Sequence, residues 1–238
     1  MPGTPPFALT ARAPADPEPD LTPIVVMHRA IRQDLARLTG RLGQITGHGM
    51  PAAQADAICR YTTALLAQIS AHHQNQAGIL WPLIAATAEQ CVDLTPLTDD
   101  HQAIEAAQLR ARRALAAFGG SPAVCGAELR AAVSELRDML DEHIPDEQNQ
   151  IFPVMRRYLP APAYRWCEEQ ALRSATLASR RFAVPWLARF AEPIELDRMP
   201  ATRGRPGQLL LAATRPGYAR LERHVFGHPA RPGHDLRR

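Results

Sequence analysis

The sequence contains no lysine, few aromatic residues and no long uninterrupted apolar run. All 27 basic residues are arginines, and aromatic side chains make up 5% of the 238 positions. The longest stretch without a charged side chain, residues 61–88, is interrupted by histidine, glutamine and asparagine, so it cannot cross a bilayer cheaply. With a net charge of only +3, the composition excludes transmembrane, collagen-like, low-complexity and polycationic chains.

The four cysteines have no spacing typical of a zinc knuckle or a redox pair. They lie 32, 34 and 42 residues apart, without a C-x-x-C pair or a zinc-type cysteine–histidine spacing. We therefore expect buried, reduced thiols. The first 20 residues contain six prolines and no apolar stretch. This pattern predicts a disordered lead-in over residues 1–20, no secretory signal and a cytoplasmic protein with no membrane partner.

Apolar spacing and helix breakers predict an all-α protein. Four stretches at helical spacing, near residues 22–42, 51–87, 98–120 and 121–158, are separated by short segments rich in glycine or proline. Because short connections favour antiparallel neighbours, we predict an antiparallel up-down four-helix bundle over residues 21–160.

The rest of the chain predicts a helical C-terminal extension, residues 161–226, packed on the bundle, and a basic tail, residues 227–238. From residue 203 onward there are eight arginines against two acidic residues. Such a charge can attract nucleic acid, but no aromatic residues are interleaved with it, so we expect no nucleic-acid partner. We expect the extension, or a second copy in a homodimer, to cover the apolar second helix.

Two segments of the predicted bundle repeat the same motif. His72 and His143 each lie ten residues before a proline that follows an aliphatic–aromatic pair. Each is followed four residues later by a hydrogen-bonding side chain, Gln76 in the first segment and Glu147 in the second. Residues four apart share one face of a helix, so each pair points in one direction.

The helix before each motif carries one further histidine. His28 lies 44 residues before His72, and His101 lies 42 residues before His143. The chain thus resembles two copies of one helical hairpin. In a four-helix bundle, four imidazoles and a carboxylate can converge on the interior, and this donor set suits iron, zinc or manganese.

These residues resemble the hemerythrin HHE cation-binding family. The resemblance covers roughly residues 22–158, and short segments at 182–186 and 216–218 resemble C-terminal extensions of actinobacterial members. It implies a four-helix bundle around two non-haem iron ions bridged by carboxylates and an oxo or hydroxo group, which binds or senses O2, NO or peroxide. The positions that match the family's metal ligands are His28, His72, His101, His143 and Glu147, with Gln76 at a sixth position.

Gln76 departs from the family pattern, which has glutamate at this position. A carboxylate can bridge two cations and cancel one charge, whereas a carboxamide is neutral and bridges poorly. An ordinary di-iron pair, a single metal, an asymmetric pair and an empty, degenerate site all remain open. Pro145 is a second departure, because a proline between His143 and Glu147 predicts a kink or a π-type turn there.

Three more residues are candidates near this site. Glu105 follows His101 by four residues, but we expect an exposed helix charge. His73 points about 100° away from its neighbour on the helix, so we expect a packing or outer role rather than a ligand. Tyr61 lies three turns before the histidine doublet, and we expect a core tyrosine.

Three functions follow from these patterns. The first is a metal-binding module for O2, NO or peroxide, and the second is an O2-activating non-haem iron enzyme that acts on a small organic substrate. The third is a metal-free helical regulator in which Gln76 marks a lost site. Retention of four histidines argues against the third function, because buried imidazoles are costly unless they are paired.

Overall fold

The computed structural model describes residues 5–45, 50–88 and 91–227, and within them the chain is almost entirely helical, without a β-strand. The all-α prediction with additional C-terminal helices is confirmed. The helices are α1 (Thr22–Ile45), α2 (Ala52–Asn75), α3 (Trp81–Ala88), α4 (Thr95–Gly120), α5 (Pro122–Tyr158), α6 (Ala161–Ser174), α7 (Leu177–Phe190), α8 (Pro193–Leu196) and α9 (Gly204–Phe226).

Four long helices, α1, α2, α4 and α5, form the bundle. Helix α5 packs on both α1 and α4, and α4 packs on α2. The apolar side chains of α2 are buried as expected, with exposures of 0–1% at Leu65, Leu66 and Ile69. The C-terminal helices α7 and α9 pack against α1 and α2, so the apolar second helix is covered within one chain.

A single π-helical turn, Gln76–Leu80, joins α2 to α3. In this turn the Trp81 N–H donates to the Gln76 carbonyl, five residues earlier. Pro82 follows directly and has no amide hydrogen, which disfavours a regular α-helical turn before it. At Pro145, where the sequence predicts a kink or a π-type turn, α5 continues as an α-helix with Pro145 and Pro153 inside it.

The described segments before α1 and after α8 lie beside the bundle. Residues 5–20 contain no helix, and the Arg12 N–H donates to the Tyr158 carbonyl at 2.8 Å. Helix α9 spans a segment in which proline, glycine and arginine obscure the helical pattern, and it includes Pro216. Apart from Gly227, the predicted basic tail lies outside the described residues. None of the described helices is long and apolar enough to span a membrane.

A buried polar network joins the C-terminal helices to the bundle. The Asp34 carboxylate accepts hydrogen bonds from Tyr61 Oη at 2.7 Å, Trp186 Nε1 at 2.9 Å and Arg37 at 2.9 Å. The hydroxyls of Tyr61 and Tyr218 lie 3.1 Å apart. Burial raises the pKa of Asp34 to about 6, although Arg37 and the two other donors lower it. Tyr61 is thus a core tyrosine of this network, as expected.

Candidate metal centre

Two histidine pairs meet inside the bundle, one from each hairpin. His28 on α1 and His72 on α2 bring their Nε2 atoms within 3.0 Å of each other. His101 on α4 and His143 on α5 do the same at 3.1 Å. Imidazole nitrogens this close together either share a proton or point at a common ion. The repeat in the sequence therefore corresponds to two matching histidine pairs in space.

Glu147 lies between the two pairs. Its Oε2 atom is 3.6 Å from His28 Nε2 and 3.5 Å from His143 Nε2. Glu147 has no exposed surface, and the Oε2 atom has no hydrogen-bond partner among the described residues. A buried carboxylate oxygen without a donor is costly, so this arrangement calls for a cation at that oxygen.

His73 lies against the second pair, and its expected packing or outer role stays a prediction. Its ring stacks on His101 with a centroid separation of 4.3 Å, and its centroid lies 5.8 Å from that of His143. The described residues contain two groups that could hold a metal ion. One is His28, His72 and Glu147, and the other is His73, His101 and His143, with donor atoms within 4.8 Å in each group.

The histidine doublet explains how one helix serves both groups. Neighbouring side chains on a helix point about 100° apart, so His72 and His73 face different partners across the bundle. The sequence does not show that His73 lies beside His101 and His143, because these residues are on other helices, far away in sequence. The doublet itself was the signal that could have identified it.

Gln76 occupies the expected inner position but contacts the carboxylate directly. Its side-chain amide donates to Glu147 Oε1 at 2.5 Å, while its own Oε1 is buried without a partner among the described atoms. The neutral amide thus satisfies one oxygen of Glu147 and leaves Oε2 facing the histidines. A glutamate at position 76 would place two carboxylates in contact, which requires a proton or a cation between them.

Polar side chains outside the centre orient two of the imidazoles. Asp100 Oδ2 lies 3.2 Å from His143 Nδ1, and the Gln148 amide lies 2.9 Å from His28 Nδ1. Such contacts fix a ring and its tautomer, so that the opposite nitrogen faces the interior. One histidine of each pair therefore has a polar partner outside the centre.

The aromatic residue of each repeated motif packs on a histidine of the other hairpin. Trp81, from the first hairpin, stacks on His101 of the second with centroids 5.9 Å apart. Phe152, from the second hairpin, stacks on His28 of the first at 6.2 Å. Each motif therefore shields a histidine of the other hairpin from water, which the sequence spacing alone does not reveal.

Burial keeps most of the imidazoles neutral. It lowers the pKa values of His28, His72 and His73, and it lowers that of His101 to about 4. Burial also lowers the pKa of His143, but the neighbouring carboxylates of Glu147 and Asp100 raise it above its usual value overall. Neutral imidazole is the form that binds a metal, so the site is prepared for a cation.

The remaining candidates do not join the centre. Glu105 is exposed, as expected, and Tyr61 belongs to the Asp34 network. Among the cysteines, Cys167 is buried, but Cys91 is exposed and the other two are partly buried, so the expectation of four buried thiols was wrong. None of the candidate metal groups in the described part of the chain includes a cysteine.

Residues 21–155 match the hemerythrin HHE cation-binding domain, which covers more than half of the chain. The chain belongs to this family. No curated protein and no solved structure matches it significantly. The match and the two histidine-based groups together identify a cation-binding helical bundle. The donor set fits this assignment, because the buried, unpartnered Glu147 Oε2 faces both groups.

Proposed function

We propose that the chain binds two iron ions, bridged by an oxo or hydroxo group, and uses them to bind or sense O2, NO or peroxide. One ion would be held by His28, His72 and Glu147, and the other by His73, His101 and His143. The position of Glu147 Oε2, within 3.6 Å of a histidine in each group, carries this proposal. A single carboxylate can serve both ions from there.

The ligand types support iron. Two histidines and one carboxylate form the donor set that non-haem iron proteins use while keeping coordination positions open. Iron held in this way supplies redox chemistry and open positions for a small ligand. The chain's own contribution is to orient the imidazoles and to exclude water with Trp81 and Phe152.

Gln76 is compatible with such a centre. Because its amide binds Glu147 Oε1, Gln76 would hold the carboxylate between the two groups without a second acid. The centre then carries one negative side chain where the family pattern has two, so we expect the reduced, less positively charged iron pair to be favoured. Gln76 itself would contact the ions only weakly, through its neutral oxygen.

A second candidate function is oxidation of a small organic substrate by O2, which the iron pair would activate. It is favoured by one observation, a cavity that reaches His72 and Gln76 from the C-terminal helices. Under either function the partners are small molecules. We propose a cytoplasmic protein without a nucleic-acid partner, as the sequence predicts.

Metal analysis of the full-length protein tests the proposal. After iron-replete expression we expect two iron ions per chain and oxo-to-iron charge-transfer bands. These bands should change when O2, NO or peroxide is added to the reduced protein. His224→Phe is a matched control, because His224 is an exposed histidine on α9 and should leave the stoichiometry unchanged. No bound iron, or another metal preferred over supplied iron, would contradict the proposal.

A further inference from the structure

A large cavity lies between the bundle and the C-terminal helices α6 and α7. Its volume is about 460 Å³, within the range of small-molecule sites. Exposed Ser174, the last residue of α6, and Thr176, just before α7, line it and mark its mouth. Most of its wall is apolar, and the apolar residues include Ile24, Met27, Leu80, Leu172, Val184 and Leu187.

The cavity extends to the candidate metal centre. His72 and Gln76 both line it, and His72 is partly exposed whereas the other members of the two groups are buried. A diatomic ligand needs roughly the space of one water molecule, about 30 Å³. A cavity of 460 Å³ is many times larger, so its size points to an organic molecule.

Two polar side chains in the cavity wall have buried atoms without a partner. Arg180 Nε, on α7, and Glu168 Oε1, on α6, have no hydrogen-bond partner among the described atoms. Both residues line the cavity. Both atoms are closed to water, so they show that the protein leaves these two side chains incompletely paired, while a ligand in the cavity would meet their other polar atoms.

The free charge in this wall is positive. Arg180 donates to the Leu172 carbonyl, and among the described residues it forms no ion pair with an acid. It also lies in the N-terminal part of α7, where the helix dipole favours an anion. Burial and the charge of Asp20 raise the pKa of Glu168 to about 8, so this carboxyl is mostly neutral at pH 7 and repels an anion little.

We propose that this cavity binds a small, mainly apolar carboxylic acid, with its carboxylate on Arg180 and its apolar body beside His72 and Gln76. An arginine guanidinium is the side chain best suited to a carboxylate, which it can bind through two parallel hydrogen bonds. The apolar wall supplies the hydrophobic contribution to binding. Binding of the acid needs only the cavity, whereas its effect on the metal centre rests on the proposed function.

Calorimetric titration of the full-length protein with octanoate tests this proposal. We expect one octanoate per chain and markedly weaker binding of octanamide, which has the same chain but no charge. Arg180→Gln should weaken octanoate binding by at least about tenfold, because it removes a charge-assisted hydrogen bond. Arg181→Gln is the matched control, since Arg181 is the exposed next residue and does not line the cavity.

A second variant keeps the test decisive if Arg180→Gln melts at a lower temperature. Ala171→Leu places a larger side chain in the cavity wall and keeps the Arg180 guanidinium, and it should weaken octanoate binding as well. Absence of octanoate binding to the wild-type protein would overturn the proposal. Equal binding of octanamide and octanoate, or an Arg180→Gln variant that binds as well as Arg181→Gln, would also overturn it.

The iron-loaded protein gives a separate result. There we expect octanoate to shift the optical bands, because its apolar body lies beside His72 and Gln76. Unchanged bands with octanoate bound would overturn the placement beside the centre. If the protein binds no iron, the proposed function fails, while calorimetry on the same protein still decides whether the cavity binds the acid.

Discussion

The two hairpins of the bundle share one sequence motif but contribute differently to the centre. The first hairpin, α1 with α2, supplies three histidines and the neutral Gln76, and the second, α4 with α5, supplies two histidines and the charged Glu147. Each hairpin gives a histidine pair with nearly the same separation, 3.0 and 3.1 Å. The repeat therefore preserves the separation of the imidazoles, whereas only the second hairpin has an acidic side chain at the inner position.

The two hairpins also differ in backbone conformation just after His72 and His143. The first hairpin has a π turn at Gln76–Leu80, immediately after its histidines, whereas the second stays α-helical through Glu147 despite Pro145. In both hairpins the side chain four residues after the histidine still faces the interior. The π turn in the first hairpin thus still allows Gln76 to face Glu147 in the interior.

The largest effect is expected from removing the one charged member of the inner pair. Glu147→Gln should reduce iron affinity by at least about a hundredfold at both positions, because both groups lose their shared carboxylate. Metal content after dialysis measures this. Asp146→Asn, an exposed neighbour on α5, should retain both ions. Retention of two ions by Glu147→Gln would show that the hairpins do not depend on this carboxylate.

The histidine doublet predicts the next largest effect. His72→Phe and His73→Phe should each lower the iron content from two ions toward one, because each residue belongs to a different group. Mössbauer spectra of the two variants should then retain different single sites. If His73→Phe left both ions in place, His73 would be a packing residue and the first hairpin would serve only one group.

Restoring the missing acid sharpens the comparison between the hairpins. Gln76→Glu should lower the melting temperature of the metal-free protein by several degrees, because two carboxylates would then touch in the core. With iron, the same variant should melt higher than the wild type, since an added anion strengthens cation binding.

Gln74→Glu is the control for this substitution, because Gln74 is exposed and lies two residues earlier. It should leave the melting temperature unchanged both without and with iron. A Gln76→Glu variant that is destabilised equally with and without iron would contradict the proposed position of the ions.

The smallest effect is expected at an outer partner. Asp100→Asn should reduce iron affinity by about 10- to 100-fold at the group that contains His143, because the ring loses the carboxylate that orients it. Asp99→Asn, an exposed acid beside it, should have no effect. Competition with a chelator measures both. An equal loss in the two variants would indicate a general effect of surface charge.

The sequence predicts the site well where the spacing of residues along a helix determines which way their side chains point. His28, His72, His101 and His143 converge because each lies on the inner face of a long helix, which periodicity can predict. The same holds for Gln76 and Glu147, four residues after their histidines. Secondary structure was predictable in the bundle because the breaks between helices are clear.

Features that depend on distances across the bundle were not predictable. The role of His73 depends on the rings of His101 and His143, and the stacking of Trp81 and Phe152 crosses between hairpins. The π turn of the first hairpin was not predicted, because a proline signals a lost hydrogen bond but not how the helix adjusts. Helix α9 was poorly delimited for a related reason, since Pro216 lies inside it.

Anomalous diffraction at the iron edge, from crystals of the iron-loaded full-length protein, tests the central claim most directly. We predict two peaks about 3.5–4 Å apart, one beside His28 and His72 and the other beside His73, His101 and His143, with Glu147 between them. A single peak, or a pair of peaks away from Glu147, would contradict the account.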